Sequence, residues 1–213
     1  SNYGGVGVDE VHERSVNIDI VIALLMEIVK RRPDFKVIFV SPTGKAVKIS
    51  SGDGNDTISA TAASNTIDAG SGNNTISVTA AYNSISATSG NDTVSATGGY
   101  NTISVGDGTN AVTAYGGYNK ITTGSGADTI KAYGGANSIT AANGDNNISA
   151  EGGANSISSG TGADTISVTG ASNSVTTGSG NDKVTATGAS NTISTEAGDD
   201  TISVTAASNK ISS

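Results

Sequence analysis

The residues of this chain that could do chemistry are carboxylates set in glycine-rich turns. One turn reads Gly52-Asp53-Gly54-Asn55-Asp56, and turns of the same kind lie at 124–128, 160–164 and 178–182. Glycine permits the backbone angles that tight turns need, and Asp supplies oxygen atoms. Residues 47–213 carry the whole excess of negative charge, because the charges of residues 1–46 balance. The turns are therefore compatible with a bound cation.

These turns separate short segments with the alternation of a β-strand. Ile or Val recurs every nine residues from Ile58 to Ile211, at all eighteen positions. Two residues later stands a second column, mostly small, as in Ala60 and Ala69. A spacing of two places both columns on one face of a strand. The residue two positions before the Ile or Val alternates between a pure Asn series and a mixed Asp and Asn series, so the true period is 18 residues.

The periodicity predicts an all-β fold. We expect residues 47–213 to form a right-handed parallel β-solenoid, or β-roll, of nine 18-residue coils with two strands per coil. With 29 Gly, no Trp and no Cys, the chain can bury only a thin seam of small and branched side chains. Residues 1–46 are predicted to be a small α/β cap, with a helix over about 17–32 and a strand over about 36–40. Such a cap would cover the apolar end of the solenoid.

Followed by x-Ile-x, the glycine-rich turns resemble the nonapeptide of hemolysin-type (repeats-in-toxin, RTX) calcium-binding β-rolls, over about three quarters of the chain. The resemblance implies that turn carbonyls and stacked Asp side chains build an oxygen cage for Ca²⁺, which suits a cation that takes six to eight oxygen ligands. The implied metal ligands are Asp53, Asp56, Asp92, Asp107, Asp128, Asp164, Asp182, Asp199 and Asp200.

The second turn of each coil departs from the family pattern. It reads Ala62-Ala63-Ser64-Asn65 or Gly116-Gly117-Tyr118-Asn119, with Asn where the family usually has Asp. We therefore expect Ca²⁺ along one edge only, and an amide ladder of stacked Asn along the other. The alternative for the acidic turns is that Asp and Asn there satisfy backbone groups, as they do in turns generally.

Two exposed features suggest other ligands. Ranked Ser and Thr, as in Thr165, Ser167 and Thr169, resemble the surface of ice-binding solenoids, although Ser and Thr are also ordinary soluble strand formers. Tyr82 and Tyr100 begin a row of tyrosines spaced by 18 residues. Exposed aromatic rows can hold sugars, or they can pack on one another and cover a turn.

A second resemblance covers residues 8–43. Asp9, Glu10 and His12 match the D-E-x-H motif of DEAH-box RNA helicases, and Ser41 and Thr43 match the S-A-T motif. In that family the first motif positions magnesium and water for ATP hydrolysis. A nucleotide site also needs a glycine-rich phosphate loop with Lys, which residues 1–7 lack. We therefore predict no enzyme activity and no catalytic residues.

Composition narrows the function further. An acidic repeat surface repels nucleic acid. The sequence contains no stretch of 18 apolar residues, which is about the length that a membrane-spanning helix needs. We expect a non-enzymatic structural or adhesive module, extracellular or at the cell surface, with Ca²⁺ along one edge. An uncapped C-terminal coil predicts end-to-end self-association into fibres. The alternatives are an ice-binding protein that uses the Ser and Thr rows, and a carbohydrate-binding module that uses the Tyr rows.

Overall fold

The structure, a computed structural model, describes residues 45–213 in full and the backbone of residues 6–8 and 37–39. In the N-terminal segment, β1 (Val6–Val8) pairs in parallel with β2 (Val37–Phe39). The predicted helix over 17–32 lies outside the described residues, as do Asp9, Glu10, His12, Ser41 and Thr43. Some Cα atoms of β2 lie within 8 Å of Thr57–Ala60, the first strand of a nine-stranded sheet. The role of the N-terminal segment as a cap stays a prediction.

Residues 45–213 form two parallel sheets that share one winding chain. The ten-stranded sheet contains β3 (Lys48–Ser50), β5 (Thr66–Asp68), β7 (Ser84–Ser89), β9 (Thr102–Asp107), β11 (Lys120–Thr123), β13 (Ser138–Ala141), β15 (Ser156–Ser158), β17 (Ser174–Thr176), β19 (Thr192–Ser194) and β21 (Lys210–Ser212). The nine-stranded sheet contains β4 (Thr57–Ala60), β6 (Thr75–Val78), β8 (Thr93–Thr97), β10 (Ala111–Tyr115), β12 (Thr129–Tyr133), β14 (Asn147–Ala150), β16 (Thr165–Thr169), β18 (Lys183–Thr187) and β20 (Thr201–Val204). The chain alternates between the sheets at every turn, so it builds a solenoid.

The register between coils is the 18-residue period of the sequence. Ile58 pairs with Ile76, and Ile121 lies between Ile103 and Ile139 on the neighbouring strands. Each side chain therefore stacks on the residue 18 positions away. The predicted parallel β-solenoid with an 18-residue coil is confirmed.

The core is the predicted seam of Ile and Val, continued by the small second column. Every member of the first column from Ile49 to Ile193 is at most 3% exposed, and Ala60, Ala96 and Val168 of the second column are fully buried. The alternate positions carry Ser and Thr that face outward, which gives the burial alternation of strands such as β16. Complete burial of one such aliphatic side chain contributes roughly 1.5–3 kcal/mol. Among the described residues, no helix is long and apolar enough to cross a membrane.

Replacing a side chain of the seam is expected to destabilise the solenoid. Ile130 is fully buried and stacks between Val112 and Ile148. Because neighbouring coils hold the cavity open, Ile130→Ala should lower the free energy of unfolding by about 2–5 kcal/mol. The matched control is Ile211→Ala, at a side chain that is 46% exposed. Urea denaturation of both variants checks this, and equal losses would contradict it.

Candidate functional site

The turns form two edges of unlike chemistry. We call acidic edge the nine turns that lead into the nine-stranded sheet, whose last residues are Asp56, Asn74, Asp92, Asn110, Asp128, Asn146, Asp164, Asp182 and Asp200. We call the other set the amide edge: the nine turns that lead into the odd-numbered strands from β5 to β21 of the ten-stranded sheet. The last residues of these turns are Asn65, Asn83, Asn101, Asn119, Asn137, Asn155, Asn173, Asn191 and Asn209. Both edges pack backbone on backbone: a Cβ added at Gly180, where φ is 141°, would lie 1.9 Å from the Gly162 carbonyl oxygen.

On the amide edge the predicted ladder is present. The backbone N–H of Asn101 donates to Asn119 Oδ1 (2.9 Å), and Asn101 Nδ2 donates to the same oxygen (3.1 Å). Asn101 Nδ2 also donates to the Gly98 carbonyl oxygen (2.7 Å). Asn119 repeats this pattern with Asn137, and the other coils follow it closely. Each buried amide is thus both donor and acceptor, and this edge satisfies itself without a metal.

On the acidic edge the last residue of the turn is also buried, but its chemistry is incomplete. Asp92, Asp128, Asp164 and Asp182 are each 1% exposed. Their Oδ1 atoms accept the backbone N–H of the preceding coil, as from Asn110 to Asp128 Oδ1 (2.8 Å). Their Oδ2 atoms are buried and have no hydrogen-bond partner in the described part of the chain. A buried oxygen without a donor is costly, so these atoms call for a ligand or a proton.

The Asn residues of the same edge show what the carboxylates lack. Asn110 Nδ2 donates to the carbonyl oxygens of Gly106 (2.9 Å) and Gly108 (3.3 Å), and to Asp128 Oδ1 (3.0 Å). A carboxylate has an acceptor where Asn has this donor. An Asp at the same place therefore cannot bond to the turn carbonyls and leaves Oδ2 unsatisfied.

Burial perturbs two of these carboxyls. Burial raises the pKa of Asp92, and hydrogen bonds from the backbone and side chain of Asn74 offset part of the rise. Burial also raises the pKa of Asp164, and this rise is opposed by the nearby Ser159 hydroxyl and by Asn146 and reinforced by the charge of Asp182. Both shifts show a carboxylate that is more difficult to keep ionised inside the edge than in water.

The nine predicted metal ligands fall into two classes. Asp53, Asp107 and Asp199 are exposed at the turn tips. Of these, Asp53 Oδ1 accepts the Ser71 hydroxyl and Asp107 Oδ1 accepts the Ser125 backbone N–H (2.7 Å). The remaining six stand at the buried turn end, where Asp200 is half-buried and the other five are buried. Within residues 45–213, no three acidic or histidine side chains converge on one point. The assignment of individual ligands stays a prediction.

Sequence reasoning missed a set of buried hydroxyls beside these carboxyls. They stand five residues before an acidic-edge Asp, in the second column of the ten-stranded sheet: Ser51, Thr123, Ser159, Thr177 and Thr195. Where the edge has Asn, the same position is Ala69, Val105 or Ala141, and Ala87 before Asp92 is the exception. The oxygens of Thr123, Ser159, Thr177 and Thr195 are buried without a hydrogen-bond partner among the described residues. The signal was readable as a spacing of five residues between hydroxyl and carboxylate.

The atoms of the acidic edge that could bind a metal ion are all oxygen atoms. Carboxylate, hydroxyl and backbone carbonyl oxygens are the ligands of hard cations such as Ca²⁺. The unsatisfied Oδ2 atoms are oxygens that a cation would complete. The residues present therefore fit calcium at this edge.

Comparison with known families agrees with this chemistry. A model of the RTX calcium-binding nonapeptide repeat matches overlapping segments that together cover more than half of the chain: 49–85, 86–121, 113–148, 122–157, 131–166 and 140–175. The chain belongs to the RTX calcium-binding nonapeptide repeat family. A model of a protein family of unknown function, DUF3060, matches residues 161–209 of this RTX repeat chain.

Other similarities are short. The ATP-dependent RNA helicase HrpA of Escherichia coli (strain K12) is 49% identical over 41 residues, which are 19% of this RTX repeat chain and 3% of the helicase. The helicase of the same name from Borreliella burgdorferi is 46% identical over 41 residues, 5% of its length. The chain thus spans a small fraction of these relatives. No solved structure matches it.

The tyrosines of the RTX repeat chain stack on each other. Tyr82 and Tyr100 have ring centroids 5.0 Å apart, Tyr100 and Tyr118 4.8 Å, and Tyr115 and Tyr133 4.9 Å. The rings lie within 12° of parallel. Mutual packing of the rows is confirmed, and sugar binding by them stays a prediction.

Breaking the amide ladder is expected to destabilise the fold. Asn119→Ala removes the acceptor of the Asn101 backbone N–H and of its side chain, as well as two donated bonds. Each buried group left without a partner costs about 1–3 kcal/mol, so urea denaturation should show a loss of more than about 2 kcal/mol. The matched control is Asn147→Ala, an exposed amide on β14, with an expected change within about 0.5 kcal/mol. A loss at Asn119 no greater than at Asn147 would contradict the ladder's contribution.

The buried carboxyl of Asp92 predicts a pH dependence. Its pKa is raised in the folded chain, so ionisation destabilises the fold at neutral pH; this penalty is absent below the unfolded pKa of about 3.9 and grows as pH rises through the folded pKa. Asp92→Asn, which places the native residue of positions 74 and 110 in this coil, should stabilise the chain at neutral pH in chelator. Urea denaturation at several pH values should show the gain shrinking toward pH 4, and a gain independent of pH would refute the assignment.

Proposed function

We propose that this chain is a non-enzymatic structural module outside the cell, stabilised by Ca²⁺ along its acidic edge. The observation that carries the proposal is the row of buried Asp Oδ2 atoms without hydrogen-bond partners among the described residues. The surrounding side chains and turn carbonyls supply further oxygen atoms that can bind a cation. Calcium supplies a partner for these atoms and neutralises their charge. Turn carbonyls and the neighbouring hydroxyls are the further oxygens available to it.

The rest of the solenoid is suited to a structural role. Its interior is filled with Ile, Val and Ala, and its outward strand faces repeat Ser and Thr in flat ranks. Parallel stacking without insertions gives a rigid rod with long hydroxyl-rich faces. RTX repeats are typical of secreted proteins, which supports an extracellular location. The partners expected from the sequence, a second copy at the end of the rod and a cell-surface, glycan or ice ligand, stay predictions.

The helicase likeness does not change this proposal. It covers 41 residues of much longer proteins that are named ATP-dependent RNA helicases. The repeats, which make up most of the chain, supply side chains for a regular surface and not for phosphoryl transfer. We therefore expect no ATP turnover by the full chain, measured by phosphate release.

Calcium is expected to stabilise the chain measurably. A cation that binds only the folded state adds about 2.7 kcal/mol to the free energy of unfolding when present at 100 times its Kd. The full chain, treated with chelator and then titrated with CaCl₂, should show a rising thermal midpoint by far-UV circular dichroism. MgCl₂ should give a smaller rise, because Mg²⁺ demands strict octahedral geometry and gives up its waters reluctantly.

The matched control for this titration removes the charges and keeps the hydrogen-bonding shape. A variant with Asn at Asp128, Asp164, Asp182 and Asp200 should fold in chelator, since Asn is native at positions 74, 110 and 146 of the same edge. Its thermal midpoint should respond to calcium much less than that of the unaltered chain, because Asp56 and Asp92 are the buried turn-end carboxylates that it keeps. Equal stability of the unaltered chain in chelator and in calcium would overturn the proposed function.

A further inference from the structure

The residue directly before the last Asn of each amide-edge turn adopts the left-handed backbone conformation. Its φ lies between 58° and 63° in all nine turns, although none of these residues is Gly. The residue is Tyr at 82, 100 and 118, and then Ala at 136 and 154. Because φ hardly changes from Tyr118 (61°) to Ala136 (58°), the backbone of the coil after Tyr118 is shaped to continue the row, but the row of rings stops there.

The three stacked tyrosines cover each other's faces. Tyr100 lies between Tyr82 and Tyr118, with ring centroids at 5.0 and 4.8 Å, and is 49% exposed, while the two outer tyrosines are 60% and 59% exposed. Each outer ring therefore has one face without an aromatic partner among the described residues. A ligand that stacks on this row must use one of the two end faces.

A groove of about 540 Å³ distinguishes the two end faces. It is lined by five successive amide-edge turns, from Ala81 and Tyr82 to Gly153 and Ala154. The groove therefore continues for two coils beyond Tyr118, but it does not extend past Tyr82 at the other end. Its volume is in the range of small-molecule sites, roughly 300–1,000 Å³. The free face of Tyr118 is thus the one that meets unfilled groove.

The groove beside Tyr118 is lined by backbone without side chains. The residue before the left-handed position is Gly in four consecutive turns, at 99, 117, 135 and 153, whereas the turns on either side have Ala, at 81 and 171. With about 4.8 Å between coils, the four glycines span about 14 Å along the solenoid. This length accommodates a molecule of two or three flat rings.

The lining favours an aromatic ligand over a sugar. The side chains that line the groove are Tyr and Ala, so their hydrogen-bonding groups are phenol hydroxyls alone. A sugar ring carries several hydroxyls, and polar groups that lose water without gaining partners weaken binding. A flat aromatic ring needs only a stacking partner at about 4.5–7 Å, which the face of Tyr118 supplies.

Charge favours a positive ligand. The face of an aromatic ring attracts cations. Lys120 follows Tyr118 by two residues and Glu151 precedes Ala154 by three, so the charges that flank the groove in sequence offset each other. The net charge of the chain, −8, then draws cations toward it in preference to anions.

We propose that the amide edge binds a small flat aromatic cation, which stacks on the free face of Tyr118 beside Ala136 and Ala154 as the next ring of the row. The ligand continues the ring-on-ring contact that Tyr100 and Tyr118 already make at 4.8 Å. The site lies on the amide edge, whereas the proposed calcium site lies on the acidic edge. The inference therefore goes beyond the proposed function and does not depend on it.

The experiment uses thioflavin T, a benzothiazolium cation that becomes fluorescent when its rings are held flat. The full chain is titrated in the presence of CaCl₂, so that the metal competes with the dye for the acidic edge. Tyr118→Leu removes the ring, keeps an apolar side chain against Tyr100 and should weaken dye binding at least about fivefold. The matched control Tyr82→Leu makes the same change at the other end of the row, where φ is 62°, and should leave the affinity within about twofold.

A second pair of variants keeps all the tyrosines and fills the groove. Ala136→Leu places a branched side chain next to the free face of Tyr118 and should also weaken dye binding at least about fivefold. Its control is Ser190→Leu, at the same position of a distant turn with φ of 60°, and the affinity should again stay within about twofold. Far-UV circular dichroism checks that all four variants keep the β signal of the unaltered chain.

Loss of affinity in Tyr118→Leu and Ala136→Leu, with both controls unchanged, supports the inference. The absence of dye binding, or an equal loss in Tyr82→Leu, overturns it. The anionic dye 1-anilinonaphthalene-8-sulfonate should bind at least about tenfold more weakly than thioflavin T, and equal affinity of the two dyes would refute the preference for a cation.

Two further measurements test other occupants of the groove. Displacement of thioflavin T by cellohexaose would assign the groove to sugars. A dimer of the unaltered chain in sedimentation velocity that Tyr118→Leu dissociates would assign it to a second copy. Either result would overturn the inference, and neither would affect the calcium proposal.

Discussion

The constraint on which this structure depends is that every residue stacks on its counterpart 18 positions away. A residue type succeeds in a column only if it can satisfy copies of itself about 4.8 Å apart. Ile does so by packing, and Tyr does so by parallel ring contact at 4.8–5.0 Å. Asn does so because its side chain has both an N–H₂ donor group and a carbonyl acceptor, which link into a continuous ladder.

Asp is the residue type that cannot satisfy copies of itself. Two acceptor oxygens per side chain leave one unpaired in every coil, and neighbouring charges add repulsion. The acidic edge moderates this conflict over part of its length by alternating Asp with Asn, so that an amide donates to each carboxylate. It leaves the conflict in place where three Asp follow each other. An edge that needed only backbone satisfaction would have no reason to depart from the all-Asn solution that the opposite edge uses nine times.

Much of the architecture could be predicted from sequence because it follows from one period. The Ile and Val column fixes the inward face, the unlike turns fix the coil at 18 residues, and the invariant Asn series predicts the amide ladder. The candidate site was harder to predict from the sequence, since the burial of a side chain within a five-residue turn depends on the backbone angles of that turn. Asp53 and Asp56 are three residues apart and equally acidic, yet one lies exposed at the turn tip and the other is 3% exposed. The hydroxyls at 159, 177 and 195 were obscured because Ser and Thr occur throughout the strands, and only the geometry distinguishes the inward ones.

Asp164, Asp182 and Asp200 lie in three consecutive C-terminal coils of the described stack, which limits how much of the fold a cation bound there could control. Each coil of a solenoid is stabilised mainly by its two neighbours, so folding can begin in one segment and propagate along the axis. In the preceding coils an amide side chain donates to the next carboxylate, from Asn74 to Asp92 and from Asn110 to Asp128, and the amide ladder continues the stack on the other edge. These coils offer a template of correct register to the coils that carry Asp164 and Asp182. The amide edge runs unbroken past Asp164, Asp182 and Asp200, to Asn209, so even in these coils one of the two edges is held by its own hydrogen bonds.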